Sequence, residues 1–245
     1  MGVVLFWSLS EWAELATIIG SLLAVAGAVT LYIEIRRKRI SDGRKTLMFQ
    51  DFLRHLFVNT AIVEIVRQRV NESGGFDKVY PEEGVLERMK FLPDDFAISR
   101  FRTSDKYFDE MHDMELLMRN YCVSLDVANK HLMSQEISTK VKIDDLNDVD
   151  NRAKSLMVDI YKMSEYLKLK NIKPLHELIS DKYSSLLDPL KPAAGVNNFS
   201  DAVINKARSK NLNPKFFDAE QLELLYNKYL VLRKDVDGYV RVIGF

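Results

Sequence analysis

The stretch from Leu15 to Arg39, LATIIGSLLAVAGAVTLYIEIRRKR, decides how the rest of the chain is read. Between Glu14 and Glu34 lie 19 residues without a charge, and nine of them are Leu, Ile or Val. At about 1.5 Å rise per residue, a helix of that length covers about 28 Å, close to the roughly 30 Å hydrocarbon core of a bilayer. At roughly −0.3 to −0.6 kcal/mol each, the nine large aliphatics favour insertion by about 3 to 5 kcal/mol. The Ala, Gly and hydroxyl residues subtract from that, so insertion is adequate and suits a helix that neighbours also cover.

The flanks give the segment a direction. Residues 1 to 14 contain no Lys or Arg, whereas Arg36, Arg37, Lys38 and Arg39 follow the apolar run at once. A secretory signal needs its positive charge before the apolar region, so the segment reads as a retained anchor. By the positive-inside rule those four cations orient the membrane helix, placing the C-terminal side in the cytoplasm and a short acidic N-terminal tail outside. Phe6, Trp7 and Trp12 then fall at the outer interface and Tyr32 at the inner one. Met1-Gly2 invites a myristoylation reading, but position 6 is Phe where Ser or Thr is expected.

Within the span (about 13–35), Ala16, Gly20, Ala24 and Ala28 recur every four residues and Ala13, Gly20 and Gly27 every seven. Small side chains on one stripe let two membrane helices approach closely, so Ala16, Gly20, Ala24, Gly27 and Ala28 form the predicted oligomerisation face of a homo-oligomer. Glu14 and Glu34 lie about 160° apart at 100° per residue and cannot both line one straight pore. A packed anchor is the better reading than a conducting channel.

Two regions follow: residues 1–40, a tail and single transmembrane helix closed by the basic stop, and residues 41–245, an all-helical cytoplasmic bundle. The fold class is mainly α. Ser41-Asp42-Gly43 reads as a break or cap. After it, TLMFQDFLRHLFVNTAIVEIVRQRV places Phe49, Phe52, Leu53, Leu56, Phe57, Val63 and Val66 at helical spacing, giving a helix over about 45–70, with continuation from the span as a stalk as the alternative. NESGGFDKVYPEEG, 71–84, reads as a loop, followed by a short helix over 84–91 and another opening after Pro93. Two long helices are predicted next. The first starts at the cap Thr103-Ser104-Asp105, with an apolar stripe including Tyr107, Phe108, Met111, Met114, Leu117, Met118, Tyr121 and Leu125. The second runs from about 144 to 170, and a connection of ten or so residues makes the pair antiparallel. Shorter helices are expected near 174–187, 199–210 and 217–234. Only GYVRVIGF, 238–245, alternates like a β-strand, which needs a partner edge.

Composition excludes several functions. Lys+Arg and Asp+Glu are both 35, so a nucleic-acid partner is not indicated. The single Cys122 reads as a small buried thiol. Asp109, His112 and Asp113 share a helix face, but a ferritin-like site needs a second Glu-x-x-His helix and HExxH is absent, so a solvated charged face is expected. GxSxG, GxxxxGK[ST] and GxGxxG do not occur, and no enzyme activity or cofactor is predicted. The basic stop with Arg44 and Lys45 puts six cations in ten residues beside the bilayer, enough to attract anionic headgroups. Arg100, Arg102 and Lys106 are the candidate anion-binding residues, at an expected helix start.

The run FQDFLRHLFVNTAIVEIV, directly after a basic-flanked membrane helix, resembles the start of the cytoplasmic part of bacterial phage abortive-infection membrane proteins, over residues 12 to 70. Such proteins usually show two spans, and this chain shows one. The resemblance implies an inner-membrane effector of antiphage defence, whose cytoplasmic domain senses a protein partner or anionic signal and whose membrane helices then compromise the bilayer. The alternative is a non-catalytic membrane-anchored scaffold that recruits a soluble partner.

Overall fold

A computed structural model describes residues 9–76, 86, 108–187 and 199–235. Every regular element among them is helical, and the fold is mainly α. The elements are α1 (Leu9–Ser73), α2 (Phe108–Met133), α3 (Thr139–Tyr166), α4 (Leu175–Leu187), α5 (Phe199–Ser209), a 3₁₀ turn (Pro214–Phe216) and α6 (Ala219–Asp235). The expected helices over 84–91 and after Pro93, and the strand 238–245, lie outside the described residues.

The chain divides into two compact units between Arg44 and Lys45. The expected break at Ser41-Asp42-Gly43 is corrected by the structure, because α1 continues through all three residues. Ser, Asp and Gly weaken a helix without forbidding it, and strong formers on both sides outweigh the cost of roughly 1 kcal/mol at the glycine. The helix stops at Gly74, whose φ of 78° is the left-handed conformation that ends helices.

The second unit is built on the C-terminal part of α1. Phe49, Phe52, Leu53, Leu56, Phe57, Val63 and Val66, the positions picked out by periodicity, are all buried. On α2 the apolar stripe is narrower than expected. Met111, Met114, Met118, Tyr121 and Leu125 are buried, whereas Leu117 is 44% exposed. The observed seam advances by alternating steps of three and four residues and passes Leu117 by.

Helices α2 and α3 are antiparallel. Ser124 donates to Asp148 (2.8 Å) and His131 meets Asp145 (2.6 Å), so residues advancing along α2 face residues retreating along α3. Their connection is only residues 134–138, because the Ser138 hydroxyl accepts from the Val141 amide and caps α3 ahead of the expected start. Helix α3 also runs antiparallel to the packed part of α1. Arg67 meets Asp150 near one end, and Gln50 donates to the Asn171 carbonyl near the other (3.0 Å).

Helices α3 and α5 stop in the same way. Leu169 N–H reaches Ser164 O and Lys168 N–H reaches Glu165 O, with Lys168 at φ 53°. Leu212 N–H reaches Ala207 O and Asn211 N–H reaches Arg208 O, with Asn211 at φ 54°. Each is a Schellman turn followed by a buried leucine, made with Lys and Asn where glycine is usual. Asp218 caps α6 by accepting from the Gln221 amide (3.1 Å). Around Phe57, the rings of Phe199, Tyr226 and Tyr229 sit edge-on at 5.6 to 5.8 Å, and Phe199 stacks on Tyr226 at 4.4 Å. This joins α5 and α6 to α1.

Candidate functional site

The feature that marks the first unit is its apolar surface. From Thr17 to Ile40 every residue of α1 is exposed, including Leu23 at 68% and Leu22 at 64%. Soluble proteins rarely expose apolar patches larger than a few hundred Å². By length and composition α1 is one candidate membrane-spanning helix near the N-terminus. Its hydroxyls are satisfied within the helix: Ser21 Oγ donates to Thr17 O (2.8 Å) and Thr30 Oγ1 to Ala26 O (2.9 Å). Back-bonding of this kind lets a hydroxyl enter an apolar medium without an unpaired donor.

Of the predicted oligomerisation residues, Gly20, Ala24, Gly27 and Ala28 are exposed, and Ala16 lies in the same helix. Nothing stands within 4 Å of where a Cβ would sit at Gly20 or Gly27, so this face is open to a partner backbone. The four cations expected to orient the span, Arg36, Arg37, Lys38 and Arg39, continue the helix and are exposed. Arg100, Arg102 and Lys106 lie outside the described residues, and so do Phe6 and Trp7.

The second unit holds two polar clusters that periodicity alone does not reveal. In the first, the buried Asn59 amide donates to Tyr121 Oη (2.8 Å) and approaches His55 Nε2 at 3.0 Å, tying α1 to α2 inside the core. With Nε2 accepting, His55 is the neutral imidazole, and burial pushes its pKa down to about 3. The second cluster surrounds Arg67, which bonds Asn147 and lies 3.5 Å from Asp150 and 3.6 Å from Glu64; Lys154 bonds Asp150 at 2.8 Å. Beside it is a cavity of about 270 Å³ lined by Arg67, Asn71, Asn147, Val70, Phe76 and Leu146 among others. Two cations face two carboxylates, so the cluster carries no surplus charge to draw a charged substrate. It places no nucleophile beside a base.

Asp109, His112 and Asp113 are exposed on α2. Among the described residues no three His, Cys, Asp or Glu side chains are gathered closely enough to hold a metal ion. Burial, with Asp126 adding to it, raises the Cys122 thiol to about 11, which leaves it protonated and unreactive at neutral pH. The sequence did carry one signal for these clusters: Asn59 and Thr60 interrupt the apolar run LFVNTAIV, where a polar pair must find partners.

Comparison of the chain with protein-family models, with curated proteins and with solved structures found no match.

Proposed function

We propose that this chain is a single-span protein of the bacterial inner membrane that acts as an effector, with its N-terminus outside and the helical unit in the cytoplasm. The observation that carries the reading is the exposed apolar surface of α1 between Thr17 and Ile35, ending at the four cations 36–39. The helical unit serves as the receiver of a protein partner or an anionic signal, and the spans self-associate through the stripe of Gly20, Ala24, Gly27 and Ala28 and perturb the bilayer. Antiphage defence of the abortive-infection kind is the setting suggested by the resemblance over residues 12–70.

The test expresses the full-length chain, a fragment beginning at Ser41, and the Gly20→Leu/Gly27→Leu variant in bacteria while a dye follows membrane potential, with and without phage. Depolarisation by the full-length chain, lost in the other two, is the expected result. Unchanged potential and growth in every condition defeats the effector reading. A scaffold, the alternative, keeps its function when a foreign membrane helix replaces residues 12 to 35.

A further inference from the structure

Helix α2 has two apolar faces. The first is its core seam, where Met111, Met118, Tyr121, Leu125 and Leu132 are 3% exposed or less. The second holds Leu116, Val123 and Val127, which are 45%, 62% and 40% exposed, with exposed Asn120 between them. At about 100° per residue the second stripe lies roughly opposite the first. A helix with one face in the core ordinarily carries polar residues there, and valine is a weak helix former, so neither solvation nor local propensity accounts for the choice. Positions 116, 120, 123 and 127 step by four, three and four, the spacing of a seam between two helices packed side by side.

We propose that the occupant of this face is the same face of a second copy, running antiparallel about a two-fold axis level with Tyr121 and Cys122. In that register Leu116 faces Val127 of the second copy and Asn120 faces its Val123. The charges decide the direction. Asp113 and Lys130 continue the stripe beyond its two ends, and Arg119 and Asp126 flank it. Antiparallel packing sets Asp113 opposite Lys130 and Arg119 opposite Asp126, twice each by symmetry. Parallel packing sets Asp113 against Asp113 and Lys130 against Lys130, which is unfavourable, and takes Arg119 away from Asp126. The seam is about 17 Å long, so the contact is weak and best read by covalent trapping.

The experiment uses the full-length protein in detergent micelles with Cys122→Ser throughout, in two single-cysteine versions, Leu116→Cys and Val127→Cys, distinguishable by mass and mixed under mild oxidant. The expected product is the mixed 116–127 disulfide, at least tenfold over either homodisulfide. Two copies of position 116 stand about 16 Å apart along an antiparallel pair, far beyond the roughly 4 Å Cβ separation of a disulfide. Lys130→Asp lowers the mixed product several-fold, and adding Asp113→Lys restores it, with helicity unchanged by circular dichroism. Predominant homodisulfides, or a mixed yield no higher than that of an exposed control at Asn151→Cys, overturns the proposal.

Discussion

The side chain of Asn129 holds the backbone of Leu86 at both ends: its Oδ1 accepts from the Leu86 amide and its Nδ2 donates to the Leu86 carbonyl, each at 3.0 Å. Asn129 is 2% exposed and Leu86 fully buried, so water cannot replace either bond. Leaving a buried donor or acceptor unpaired costs about 1 to 3 kcal/mol. Asn129→Leu therefore lowers unfolding stability by about 2 to 4 kcal/mol, measurable by denaturant titration. A loss under 1 kcal/mol means that the clamp is dispensable.

The buried His55 makes the fold sensitive to acid. The folded protein keeps this imidazole neutral down to about pH 3, whereas the unfolded chain binds a proton below its ordinary value of 6.5. Between these values the unfolded state holds the extra proton, so stability rises with pH up to about 6.5 and is level above it. The slope from this group is at most about 1.4 kcal/mol per pH unit. His55→Gln, which retains an acceptor for Asn59, should flatten the profile between pH 4 and 6.5. An unaltered slope assigns the acid sensitivity to other groups.

Lys168 occupies a left-handed turn with a β-carbon, at φ 53°. Such a residue costs about 1 kcal/mol relative to glycine. Lys168→Gly should raise the melting temperature by a few degrees, and Lys168→Val should lower it. Equal melting temperatures for the two would show that the turn does not depend on the αL position.

In the candidate membrane-spanning part of α1, Gly20→Leu and Gly27→Leu fill the open face and keep apolar length. If the spans pack there, the two together weaken self-association in bilayers at least fivefold, about 1 kcal/mol, by energy transfer between labelled chains. An equal loss from Leu22→Ala and Val29→Ala, away from the stripe, would remove its special role.

Much of the helical layout was legible because it rests on periodicity. Seven buried positions of α1 and the extents of α4, α5 and α6 follow from apolar spacing and from the markers Pro174 and Asp218. The errors have local causes. Ser138 starts α3 early because a serine cap is a single-residue signal. Ser41-Asp42-Gly43 stays helical because propensity is a weak term beside a long hydrogen-bond ladder. The bonds of Arg67 to Asn147 and Asp150 and the Asn129 clamp join residues 43 to 83 positions apart in sequence, a distance over which spacing carries no information.

Helix α1 passes through three weak helix formers just before it crosses the division between the two units. Ser41, Asp42 and Gly43 gain little from propensity, and a Cβ at Gly43 would meet nothing within 4 Å. This turn is thus the fuse of the long helix, the place where amide exchange and limited proteolysis should begin while the apolar segment before it and the core after it stay intact. A Gly43→Ala substitution would be the means of hardening it.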